Sequence, residues 1–158
     1  MTAHDRLRDL GLTLPAAPQP MASYVPTRLV PVGEGRALLF ISGQVPSREG
    51  RLLTGRVPDQ VSIDDAREAA HAAGLNLLAQ IEQAAGLDRV EAVAQLAGYV
   101  NSTDDFGGQP EVVNAASDLL YEVLGEAGRH SRAAVAANAL PRGVTVEISA
   151  VVVVRTAG

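Results

Sequence analysis

The order of elements legible in the chain is two strands, a helix, a strand, a helix and two strands. It predicts an α+β domain in which two helices pack on one face of a mixed β-sheet. Three observations carry that reading. Segments 62–86 and 110–124 repeat apolar side chains at helical spacing, segment 27–45 reads as a hairpin, and segment 145–156 contains the unbroken valine run 151–154. No linker and no internal repeat divides the chain, so one domain is expected.

Residues 1–23 read as a lead-in, and 24–158 as the domain proper. Residues 5–12 fit one or two helical turns, after which Pro15, Pro18 and Pro20 force an extended path. Two strands, 27–32 and 37–45, flank the turn Gly33-Glu34-Gly35. Residues 46–61 are polar and rich in glycine and proline, the composition of a surface loop. Ser62 with Asp65 then reads as a capping box, and Asp64 and Asp65 suit the positive end of a helix. Ala66, Ala70, Ala73, Leu77 and Ile81 form its apolar stripe, and Gly86 stops it. Residues 90–101 have strand character. A second helix carries Pro110 in its first turn and Val112, Val113, Ala116, Leu119, Leu120 and Val123 on its inner face, and Gly125 and Gly128 end it. Strands 131–139 and 145–156 close the chain. The last is apolar on both faces, so helices should cover one side and another subunit the other.

Composition excludes several chemistries. Of 158 residues 47% are hydrophobic and 20% charged, which suffices for a packed core. With two Phe, three Tyr and no Trp, that core is built of small side chains, and little aromatic surface is left for stacking on bases. There is no cysteine, hence no disulfide, thiolate metal site or cysteine nucleophile. There is no lysine either: all 13 basic residues are arginine. Schiff-base, pyridoxal-phosphate-anchoring and P-loop lysines are therefore ruled out. A net charge of −5 with scattered arginines opposes nucleic-acid binding. No stretch is long enough to cross a membrane as a helix and residues 1–12 do not resemble a signal peptide, which predicts a cytoplasmic protein. His4, His71 and His130 lack metal-ligand spacing, and no Gly-x-Ser-x-Gly elbow exists, so neither metal nor cofactor is expected.

What remains is a pair of charged residues inside small or apolar strands. Arg132 opens one strand, with Ala134 and Ala136 on the same face. Glu147 lies early in the last strand, opposite Val146, Ile148 and Ala150. A charge in such a strand is costly to bury unless paired. The two are therefore either a structural ion pair or a functional pair that converges on one cavity.

Three groups of residues stand in order along the chain: Phe40-Ile41-Ser42-Gly43-Gln44-Val45-Pro46; Asp105-Phe106 followed by Asn114; and Ser131-Arg132-Ala133-Ala134-Val135 with Leu140-Pro141 and Val146-Glu147-Ile148. They resemble, in turn, the Ser-Gly-Gln strand, the helix signature and the tail of the RidA, or YjgF, family of reactive-intermediate deaminases, also called endoribonuclease L-PSP-like. The likeness runs from about Tyr24 to Arg155 and marks a longer, divergent branch. It implies a chorismate-mutase-like homotrimer with clefts between subunits, and hydrolysis of enamine and imine intermediates such as 2-aminoacrylate and 2-iminobutyrate to ketoacids. On that resemblance Arg132 holds the substrate carboxylate and Glu147 orients or deprotonates the attacking water. Tyr24, Ser42, Gly43, Asn114, Ala134 and His130 complete the substrate site. Two alternatives stand beside it: a non-catalytic module that binds a small carboxylate metabolite, and an RNA-binding protein or ribonuclease. The second is opposed by the acidic charge, the missing lysine and the scarce aromatics.

Overall fold

The lead-in begins with a helix, α1 (Ala3–Asp9), closed at its start by a capping box. Thr2 Oγ1 accepts from Asp5 N at 3.0 Å while Thr2 N donates back to Asp5 Oδ2 at 3.0 Å. In this computed structural model residues 1–156 are described, so positions 157 and 158 of the predicted domain range lie outside the described residues. The helix is seated on the rest of the chain: Ala3 and Leu7 are buried in the common core. Residues 12–20 then run extended, as their prolines require.

Strands β1 (Thr27–Gly33) and β2 (Arg36–Gln44) form the expected hairpin. Residues 46–61 are more ordered than a plain loop, because β3 (Ser47–Arg48) and β4 (Arg51–Leu52) make a second small hairpin. Helix α2 (Ile63–Ala84) is capped by Ser62, whose hydroxyl accepts from Asp65 N at 3.0 Å. The expected reciprocal bond from Asp65 is not formed, so the capping box of this fold is the one at Thr2. Next come β5 (Val90–Asn101), α3 (Gln109–Leu124), β6 (Ser131–Ala137) and β7 (Val146–Arg155). Gly125 ends α3 at φ +65°, a conformation that glycine adopts without strain.

The sheet order is β1-β2-β7-β5-β6. Pairing is antiparallel except between β5 and β6, which makes the sheet mixed as predicted. Alternate residues of β7, from Val146 and Ile148 to Val154, are buried against the helical layer. A third, short helix joins the two expected ones, because α1 packs beside α3. The opposite sheet face is apolar yet open: Phe40, Tyr99 and Val135 are each more than 40% exposed, and Val151 and Val153 are half-buried. No helix among the described residues is long and apolar enough to cross a membrane.

Candidate functional site

Glu147 sits where β2 loses its regular pairing with β7. The register slips between Ile41 and Gln44, so Ser42 and Gly43 fall in an irregular stretch beside the carboxylate. The same stretch anchors the lead-in: Ser42 N donates to Pro26 O at 3.0 Å, and Ser42 Oγ to Val25 O at 2.7 Å. These contacts bring Met21, Ala22 and Tyr24 over Glu147, with Pro141 and Arg142 opposite, around a cleft of about 470 Å³. Tyr24 Oη accepts from Met21 N at 3.2 Å, which braces the ring. Glu147 has no hydrogen-bond or ion-pair partner among the described residues, and burial raises its pKa above the ordinary carboxylate value. Such a group exchanges protons nearer neutrality than a solvated glutamate does.

Behind this wall lies a buried amide chain. Gln80 Nε2, on α2, donates to Pro18 O at 2.7 Å and to Gln44 Oε1 at 3.4 Å, and Gln44 Nε2 donates to Ser42 O at 2.9 Å. These three bonds join five polar groups that would be costly to leave unpaired, and the lead-in is stapled to the helix.

Arg132 belongs to a second cluster, under α3. Its Nη1 donates to Asn114 Oδ1 at 2.8 Å and to Ser117 Oγ at 3.1 Å, and Nη2 reaches Pro110 O at 3.4 Å. All three acceptors are neutral, so the guanidinium charge is not compensated by a carboxylate. Both Nη1 hydrogens are used and one Nη2 hydrogen reaches Pro110 O, which leaves the Nε hydrogen and the second Nη2 hydrogen for a carboxylate. His130 joins through Ser117, and the group borders a cleft of about 460 Å³. Ala134 lies on the Arg132 side, packed against the core, and borders neither cleft.

Within one chain Arg132 and Glu147 do not converge. Arg132 pairs with Leu96 and Leu96 with Ala150, so Arg132 points to the helical side of the sheet. Glu147 pairs with Tyr99 on the open side. The expectation of a single cavity holding both is corrected for the isolated chain, and so is the structural ion pair. The expected site residues fall into two separate clusters: Tyr24, Ser42, Gly43 and Glu147 in one, and Asn114, His130 and Arg132 in the other. No group of three or more metal-ligating side chains is found among the described residues.

A family model described as "YjgF/chorismate mutase-like, putative endoribonuclease" matches residues 4–151, nearly the whole chain. The chain belongs to the YjgF/chorismate mutase-like family. Among its YjgF-like relatives, protein TCP17 of Trypanosoma cruzi is 40% identical over 149 residues, covering 92% of this chain and 90% of TCP17. The crystal structure of Atu1372 from Agrobacterium tumefaciens is 39% identical with a TM-score of 0.85, over 98% of this chain and 94% of that one. A Shewanella oneidensis structure is 32% identical with a TM-score of 0.88, over 96% and 99% of the two chains.

Three contributors to these two clusters escape the sequence reading. Ser117 lies one helical turn after Asn114, so i, i+3 spacing places both on one face and is a usable signal. Gln80 and Met21 carry no such signal, because the partner of Gln80 is 62 residues away and Met21 contributes through its backbone amide, which donates to Tyr24 Oη.

Proposed function

We propose that this protein hydrolyses enamine and imine derivatives of amino acids to 2-ketoacids and ammonia, in clefts formed between copies of the chain. The observation that carries this reading is the division into two clusters: an unpaired, half-buried carboxyl group of raised pKa on one face and an uncompensated guanidinium on the other. A cleft that joins Glu147 of one copy to Arg132 of the next assembles both. The open apolar face with Phe40, Tyr99 and Val135 supports association, and a closed homotrimer supplies such clefts without leaving a free edge.

In that cleft the Nε/Nη2 edge of Arg132 holds the substrate carboxylate. An enamine first takes a proton at its β-carbon to become the iminium, the protonated imine. Glu147 then accepts a proton from water as the water oxygen bonds to that carbon and the C=N electron pair moves to nitrogen. Glu147 returns the proton to nitrogen, the C–N bond breaks and ammonia leaves, and the hydroxyl oxygen forms the ketoacid carbonyl as its proton passes to Glu147. Imines hydrolyse readily unaided, so positioning one water and one carboxylate suffices for acceleration. Escherichia coli TdcF, which shares the fold at 22% identity and a TM-score of 0.62, has been solved with bound serine. Serine carries the type of carboxylate assigned here to Arg132.

The test couples the purified protein to an amino-acid dehydratase and follows ketoacid release. Arg132→Ala and Glu147→Gln should each abolish acceleration. Co-refolded one-to-one, they should restore about a quarter of it, the random share of clefts that draw an intact half from each variant. No acceleration by the wild type removes the proposal. Ketoacid binding without turnover leaves carboxylate recognition and removes catalysis.

A further inference from the structure

We infer that Ser117 and His130 are positioning residues that aim the Arg132 guanidinium at the carboxylate of an imino acid or ketoacid. The role rests on the carboxylate site proposed above. Three linked contacts carry it. His130 Nδ1 lies 2.6 Å from the Gly128 carbonyl oxygen, His130 Nε2 lies 2.9 Å from Ser117 Oγ, and Arg132 Nη1 donates to that same Oγ.

A carbonyl oxygen can only accept, so the ring hydrogen of His130 resides on Nδ1. In the neutral ring Nε2 is then a lone pair, and the Ser117 hydroxyl must donate to it. This removes the rotational freedom of the hydroxyl and turns its own lone pairs towards Arg132. A serine without such a partner still turns its oxygen to the cation, but its hydrogen is left to rotate among other acceptors. The histidine gives that hydrogen one fixed acceptor and so holds the hydroxyl in a single orientation.

The far end of the relay is equally constrained. A Cβ on Gly128 would stand 2.6 Å from the Leu120 carbonyl carbon and 2.9 Å from Tyr121 N, so the turn rests directly on the backbone of α3. The carbonyl that sets the His130 tautomer cannot drift relative to Ser117, which is on that helix. Asn114 supplies the second Nη1 acceptor one turn earlier. The result is a guanidinium gripped through both Nη1 hydrogens and, more loosely, through Nη2 at Pro110 O, with its Nε hydrogen and the second Nη2 hydrogen left for a guest. Arg129 is paired with Glu126 at 3.1 Å, and Asp118, which borders the same cleft, makes no ion pair with Arg132 among the described residues.

The test uses the full chain. Long-range nitrogen–proton correlation should show neutral His130 protonated on Nδ1. Ser117→Ala and His130→Ala should each raise KM for the imine about 5- to 10-fold with kcat within about 2-fold, the pattern of binding lost equally from ground state and transition state. Ser117→Thr, which keeps the hydroxyl, should restore KM. Calorimetry with 2-ketobutyrate should show the same order of affinities. A proton on Nε2 of the neutral ring, or a His130→Ala variant with unchanged KM and ketoacid affinity, overturns the relay and leaves the deaminase standing. A wild type that neither turns over imine nor binds 2-ketobutyrate overturns both.

Discussion

The Gly43 backbone runs directly behind the Glu147 carboxyl group: a Cβ at position 43 would stand 2.8 Å from Glu147 Cδ and 3.1 Å from its Cγ. The atoms it would strike are the far end of a flexible side chain, so the fold can yield while the carboxylate cannot keep its place. Gly43→Ala is expected to fold with a melting temperature within about 3 °C of wild type, since a shift of 1 kcal/mol moves this size of chain by roughly 2–4 °C. Its imine turnover should fall about 10- to 100-fold, as expected for a misplaced general base. Calorimetry and a ketoacid-release assay on one preparation check the pair of outcomes.

Glu147 ties activity to a loss of stability. Burial raises its pKa, so the native state holds the proton more tightly than the unfolded chain does. The stability this contributes is complete below the unfolded carboxylate pKa and is lost as pH rises through the folded value. Glu147→Gln carries no charge at any pH. It should therefore melt above wild type at pH 8, with the difference closing towards pH 4, while turnover drops about 10²- to 10⁴-fold. Thermal scans across that range decide the sign.

The close approach of α3 to β5 depends on Gly98. A Cβ there would lie 2.7 Å and 2.8 Å from the two methyl carbons of Val113. Gly98→Ala should cost about 1–3 kcal/mol by overpacking. Adding Val113→Ala should recover part of that loss, because the two changes share one space. Denaturant unfolding of the single and double variants measures the coupling.

Gln80 holds the lead-in down from within the core. Gln80→Ala strips the Pro18 carbonyl and the Gln44 side-chain oxygen of their donor, which should cost about 1–3 kcal/mol. The wall formed by Met21 and Tyr24 should loosen with it. Faster proteolysis near residues 18–24, together with a raised KM, is the expected signature.

The elements were largely legible, and the site only by halves. Strand β5 and helix α3 stand where their patterns place them, because Gly86, Pro110 and Gly125 punctuate long periodic runs. The seating of α1 was not legible, since only Ala3 and Leu7 reach the core and two residues make no period. Alternation within β7 correctly puts Glu147 opposite Val146 and Ile148. Alternation cannot say which face Arg132 takes, because that depends on the register that pairs it with Leu96 across two strands. A local pattern fixes sides within a strand, whereas hydrogen bonding between distant segments fixes sides across a sheet.

The opposed directions of Arg132 and Glu147 carry one more consequence on the proposed reading. If every working cleft needs neighbours, dilution acts as an inhibitor, and specific activity should fall below the assembly's dissociation constant while each chain is still folded. The protein's abundance in its compartment would then set the quality of its catalysis as well as the quantity.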